Sequence, residues 1–120
     1  MSDEAVKRVL ILDIDRAAFL AGDIVLVRCR GKLVAGVTAI LYTEVSQLIP
    51  NTKRIVLDLT DLTYMDSMGL GTVVRLYVSA RSAGCDLKLI NLGTRIRHLL
   101  SISNLLSVFS ANEESDVPMH

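Results

Sequence analysis

The sequence has no tryptophan, and its three tyrosines and two phenylalanines make up only 4% of 120 residues, so any core must be built from aliphatic side chains. It also lacks an excess of charge of either sign, because thirteen basic residues are cancelled by thirteen acidic ones. A nucleic-acid binder normally carries a basic excess, since phosphate neutralisation dominates that kind of binding, and this class is therefore excluded. Cysteine is confined to Cys29 and Cys85, with no C-x-x-C spacing. That leaves no framework for a disulfide-stapled or zinc-bound scaffold, and the two thiols read as small buried hydrophobes in a reducing compartment. Uncharged runs such as Leu33 to Thr43, at eleven residues, fall well below the roughly 20 residues that cross a bilayer. Met1-Ser2-Asp3-Glu4 is acidic, where a secretory signal would be basic and then apolar. The expected address is the cytoplasm, without membrane or nucleic-acid contact.

What the chain does have is aliphatic material, with 51% hydrophobic residues, enough for the core of one domain. Residues 1–110 read as that domain and 111–120, which hold Glu113, Glu114 and Asp116, as a disordered acidic tail. Val9–Ile14 and Asp23–Cys29 are rich in β-branched residues and predict an antiparallel pair of strands, with a helical turn over Arg16–Leu20 between them. From Val34 the period changes. Val37, Ile40, Leu41, Val45, Leu48 and Ile49 share a helical stripe that Pro50-Asn51 ends. Ile55–Leu59 is almost unbroken in hydrophobicity, as a central strand covered on both faces must be. Leu70, Val73, Val74, Tyr77 and Val78 define the buried stripe of a second helix, closed by Gly84. Leu87–Leu92 is the next strand. Thr94 is placed to cap a third helix carrying Ile96, Leu99 and Leu100, and Leu106–Phe109 supplies a last short strand. The order β-β-α-β-α-β-α-β predicts an α/β fold with a mixed sheet of four to five strands and three to four helices.

Asp66-Ser67-Met68-Gly69 falls between a strand and a helix, at the carboxyl end of the sheet, where ligand sites form. Local chemistry supports a plain capping role, in which Asp66 or Ser67 accepts hydrogen bonds from the free N–H groups of the first turn. Gly69-x-Gly71 is a weak phosphate-loop signal, because the lysine of such loops is absent.

The longer stretch says more. Ile55-Val56-Leu57-Asp58-Leu59-Thr60-Asp61-Leu62-Thr63-Tyr64-Met65-Asp66-Ser67-Met68-Gly69-Leu70-Gly71 closely resembles the signature of anti-sigma factor antagonists, which are single STAS domains. The resemblance continues through Gly84, Leu87–Asn91, Arg95–Leu100 and Asn104-Leu105, covering roughly residues 23 to 109. It implies that Ser67 is phosphorylated by an anti-sigma factor that is itself a serine kinase. The unphosphorylated form would bind that kinase and release a sigma factor, and a metal-dependent serine phosphatase would restore it. The partner-binding surface implied around the switch comprises Asp66, Ser67, Met68, Gly69, Thr72, Arg75 and Leu76, with Met68, Thr72, Arg75 and Ser79 opposite the buried stripe and Leu76 on its flank. Some members of the wider family bind nucleotides, so weak nucleotide binding at the loop before Gly69 is a further expectation. Phosphate adds about −1.5 to −2 charges. A helix N-terminus favours an anion by roughly 0.3–1 kcal/mol, so the modification is expected to act on the interface and not on the fold.

Two positions depart from the family pattern. Gly31-Lys32-Leu33-Val34 stands where Gly-x-Leu-Asp is common, which removes an acid and, on the sequence, a capping group for the first helix. Met68 stands where a small hydroxyl residue is common, so no second acceptor follows Ser67. Two other readings compete. One is a non-switching STAS scaffold in a signalling assembly. The other is a receiver-like phosphoacceptor using Asp13, Asp15, Asp58, Asp61 and Lys88, against which stands the short connection from Asp15 to Asp23. Catalysis is not expected. His98 reads as a surface helix residue and His120 is the last residue; no metal-ligand spacing occurs, no cofactor is implied, and no base lies near Ser67 in sequence.

Overall fold

In the computed structural model, which describes residues 9–16 and 23–109, the β-branched and leucine-rich segments form four strands. They are β1 (Leu10–Asp15), β2 (Ile24–Leu33), β3 (Arg54–Met65) and β4 (Asp86–Ile90), in the spatial order β1-β2-β3-β4. β1 and β2 pair antiparallel, while β2–β3 and β3–β4 are parallel. The parallel pairs are joined through α1 (Thr38–Leu48), followed by a 3-10 turn at Ile49–Asn51, and α2 (Ser67–Ser82); α3 (Thr94–Ile102) follows β4. The expected α/β fold with a mixed sheet is therefore present. The expected helical turn falls mostly, and the acidic tail wholly, outside the described residues.

Period-two alternation in β3 sends Ile55, Leu57 and Leu59 to the main core and Val56 to a smaller cluster on the other face with Leu26 and Ile90. Both faces of this strand are covered, as its unbroken hydrophobicity predicts. Leu41, Val45 and Leu48 of α1, Leu70, Val73 and Leu76 of α2, and Ile96 and Leu100 of α3 complete the main core. Burying a side chain of this size contributes roughly 1.5–3 kcal/mol. Cys29 and Cys85 are both buried and free, and burial, with Asp58 nearby, pushes the Cys29 thiol up to about 12. α2 ends where Gly84 adopts φ +78°: Gly84 N–H donates to the Arg81 carbonyl and Cys85 N–H to that of Ala80 at 2.8 Å, which is the Schellman arrangement.

β3 outruns its neighbour. Its pairing with β4 stops at Asp58↔Ile90, and the residues up to Met65 pair with β2 alone. The β2–β3 register shifts on either side of Gly31, which takes φ +102°. Such an irregularity bends a strand, and here it carries Leu33 to Met65 at the top of the sheet.

Three expectations are corrected. Leu106–Phe109 is helical, not a strand; Val108 and Phe109 N–H groups turn back to the Leu105 carbonyl, and Phe109 is buried edge-on against Tyr77, 5.3 Å away. Thr94 does not cap α3, because the N-cap is Gly93, without a side-chain bond. The stripe of α2 is also rotated. Thr72 and Leu76 are buried while Val78 is 55% exposed. The close approach of Gly69 to Leu33 turns the helix onto Gly69, Thr72, Val73, Leu76 and Ala80, and Thr72 is tolerated inside because its hydroxyl donates to the Met68 carbonyl at 3.1 Å.

Candidate functional site

The site is assembled where β2 and β3 end side by side. Asp66 follows β3 in extended conformation and is the N-cap of α2. Its N–H donates to the Leu33 carbonyl at 3.2 Å. One carboxylate oxygen, Oδ1, accepts from the Gly69 N–H at 2.8 Å, the usual capping bond. The other, Oδ2, accepts from the Ala35 N–H at 3.0 Å, in the loop that leaves β2. One side chain thus ties two loops 31 positions apart in sequence. The Ala35 N–H, and then those of Gly69 and Met68, hold the Asp66 carboxyl below its ordinary value of 3.8.

Gly69 makes this arrangement possible. A Cβ there would overlap the Leu33 carbonyl oxygen and stand 2.9 Å from Leu33 Cγ. Gly71, two residues further on, faces open space.

Ser67 is the first residue of α2. It is exposed, and among the described residues its hydroxyl has no hydrogen-bond partner. The capping role that the sequence allowed to either residue belongs to Asp66 alone. Beside Ser67, Met68 is 59% exposed. Further along the helix, Arg75 is exposed and lays its guanidinium 4.5 Å above the Tyr42 ring of α1, a contact worth about 0.5–1 kcal/mol at an exposed site. The structure therefore brings Ser67, Met68 and Arg75 onto one open face with Gly71. It places Gly69, Thr72 and Leu76 inside, so these three cannot touch a partner across that face.

Val34 is half-buried against the core, and α1 begins only at Thr38 with Val37 as its N-cap. An acid at position 34 would therefore not cap this helix, contrary to the sequence-based expectation; what the position lacks is a charge. Three of the four carboxylates of the receiver-like reading, Asp13, Asp15 and Asp58, are engaged by neighbouring side chains. Asp13 and Asp15 sit 3.4 and 3.5 Å from Arg28. Burial raises Asp58, but hydrogen bonds from Thr60 and Asn91, with Arg28 nearby, bring it below its ordinary value. β1 also runs antiparallel to β2, where a receiver-like arrangement needs a parallel crossover.

A second feature adjoins the site. Tyr64, Met65, Thr94, Arg95, His98, Leu99 and Ile102 line a groove of about 490 Å³ between the end of β3 and α3. Tyr64 is 42% and Ile102 66% exposed. Sequence reasoning passed over this groove because it joins segments roughly 30 residues apart; the available signal was Ile102, an apolar residue on the open side of a strongly amphipathic helix.

Replacing Asp66 by asparagine isolates the clamp. An amide offers one acceptor oxygen and turns a donor toward the second N–H, so Asp66→Asn is expected to cost about 1–2 kcal/mol at neutral pH. Because folding lowers the carboxyl's pKa, its contribution is complete above 3.8 and is lost as pH falls through the lower folded value. Urea melts of both proteins at neutral pH and well below the ordinary carboxylate range check this: the difference should shrink on acidification, and a difference that grows would contradict the assignment.

A mixed four-stranded sheet with three covering helices, and a serine left exposed at a clamped helix N-terminus, defines a small α/β domain. The STAS domain model matches residues 16–117, and the chain belongs to the STAS domain family. The anti-sigma-B factor antagonist of Bacillus subtilis (strain 168) is 36% identical over 58 residues, a match that spans 48% of this chain and 53% of that protein. The chain thus matches about half the length of that relative. Among solved structures, the anti-sigma factor antagonist SpoIIAA in its unphosphorylated form superposes with a TM-score of 0.68 at 19% identity, covering 80% of this chain and 83% of that one. An anti-sigma factor antagonist from Mycobacterium paratuberculosis gives 0.69 at 17%, covering 83% and 82%. At these identities the two structures speak to the fold. Among the described residues, no helix is long and apolar enough to cross a membrane.

Proposed function

We propose that this chain is an anti-sigma factor antagonist, a binding protein of the cytoplasm and not an enzyme, whose unphosphorylated form captures an anti-sigma factor kinase and so frees a sigma factor. Phosphorylation of Ser67 switches the capture off, and a metal-dependent serine phosphatase restores it. The observation that carries this reading is the division of roles at the head of α2: Asp66 is bonded to Gly69 and Ala35, while the neighbouring Ser67 is left exposed. A kinase can reach a hydroxyl so placed. The Ser67 Oγ would attack the γ-phosphorus of ATP, the bond to ADP would break, and the hydroxyl proton would pass to a base of the kinase. The new phosphate would then sit at a helix N-terminus, where an anion is favoured.

The experiment is to incubate the chain with ATP and extract of its own cells and to locate phosphate by mass spectrometry. A single phosphate on Ser67, absent from Ser67→Ala and removed by a metal-dependent phosphatase fraction, is the expected result. An unmodified Ser67 under conditions that phosphorylate other extract proteins would leave a non-switching scaffold as the reading.

A further inference from the structure

We infer that the groove between β3 and α3 is a second docking element, which takes an acidic segment with an apolar centre from the same partner that covers Ser67. This rests on the proposed function and names the chemistry of the surface it requires. The apolar part of the lining comes from Tyr64, Met65, Leu99 and Ile102, and the charged or titratable lining residues besides Tyr64 are Arg95 and His98, with no acid among them. α3 as a whole, Thr-Arg-Ile-Arg-His-Leu-Leu-Ser-Ile, carries Arg95, Arg97 and His98 and no acid. In a chain of zero formal net charge, Arg95 and Arg97 make this a local concentration of positive charge. The acid that follows the groove's Tyr64 and Met65 in sequence, Asp66, is engaged by Ala35 and Gly69. An apolar slot with a cationic wall is complementary to an amphipathic segment that flanks its apolar side chains with glutamate or aspartate.

The groove lies close to the switch. Tyr64 precedes Ser67 by three residues, which places the two within about 11 Å. A partner of ordinary size covers about 800 Å², enough to reach the groove from Ser67. This juxtaposition gives the phosphate a target. A phosphate at Ser67, within about 11 Å of Tyr64, is only partly screened from an acidic occupant by a Debye length of about 8 Å and repels it.

The test uses the intact chain, isotope-labelled for NMR, and a synthetic amphipathic peptide with leucines at helical spacing flanked by glutamates. Its control replaces every glutamate by lysine. The glutamate peptide should shift the signals of Tyr64, His98, Leu99 and Ile102. Binding should weaken at least about tenfold in Arg95→Glu/His98→Glu and as salt is raised, while the melting temperature of the variant stays within a few degrees. Equal binding of both peptides, shifts confined to other surfaces, or groove signals that move with protein concentration alone, as for a second copy, would each overturn the inference. The outcome is separable from the switch. Peptide binding at the groove with no phosphate ever found on Ser67 supports the groove and removes the switch. Phosphate on Ser67 with no peptide at the groove does the reverse.

Discussion

Alanine at position 69 should destabilise the protein by about 3 kcal/mol and lower its melting temperature by roughly 10 °C. Two effects oppose each other there. A glycine in a helix interior costs up to about 1 kcal/mol relative to alanine, so the substitution gains something in propensity. The added Cβ, however, would overlap the Leu33 carbonyl oxygen and press on Leu33 Cγ. That carbonyl is the acceptor for the Asp66 N–H, so relief of the overlap must move the backbone that holds the cap. Overpacking against backbone, with one or two hydrogen bonds weakened, outweighs the propensity gain. Gly71→Ala is the matched control. Its Cβ would meet nothing within 4 Å, so only the gain in helix propensity remains, and stability should rise by about 0.5–1 kcal/mol. Thermal melts of the two variants should therefore move in opposite directions. Equal shifts would mean that the close approach of α2 to β2 is not what demands glycine.

The second large effect is on binding and leaves the fold in place. Ser67→Asp, or phosphate on Ser67, is expected to lower affinity for the proposed kinase partner at least about 100-fold, because a charge pressed into an interface without a partner costs several kcal/mol. The same charge at the head of α2 interacts favourably with the helix by only about 0.3–1 kcal/mol, less what Asp66 takes back by repulsion. The cost at the interface outweighs the gain at the helix. Melting temperature should therefore change by no more than a few degrees, and Ser67→Ala should bind like the wild type. Calorimetric titration against the kinase recovered from extract, alongside thermal melts, reads both quantities. A marked fall in the melting temperature of the phosphorylated chain would place the effect of the phosphate in the fold.

Much of the architecture was legible in the sequence because the signals were strong and local. The continuous hydrophobicity of Ile55–Leu59 marked a strand covered on both faces, and Pro50 and Gly84 marked helix ends. What misled was tertiary. Thr72 looks like a surface residue until its hydroxyl is seen to be satisfied within its own helix, and Val78 looks like core until the helix is rolled by its contact at Gly69. Leu106–Phe109 has the residues of a strand, but the available partner for Phe109 is an aromatic ring on α2, not a sheet edge. At the site, Ser67 could be singled out from the motif. That Asp66 would reach back to Ala35 could not, because a hydrogen bond across 31 residues depends on where two strands end. The groove was hidden for the same reason.

The bidentate hold of Asp66 has a practical corollary. Since the neighbouring position carries no structural duty, it is a natural attachment point for a reporter: Ser67→Cys would be the one exposed thiol among the described residues, as Cys29 and Cys85 are buried. A fluorophore coupled there would sit on the proposed recognition surface, beside a backbone anchored from two sides. Its signal would report the arrival of a partner, with little contribution from motion of the protein beneath it.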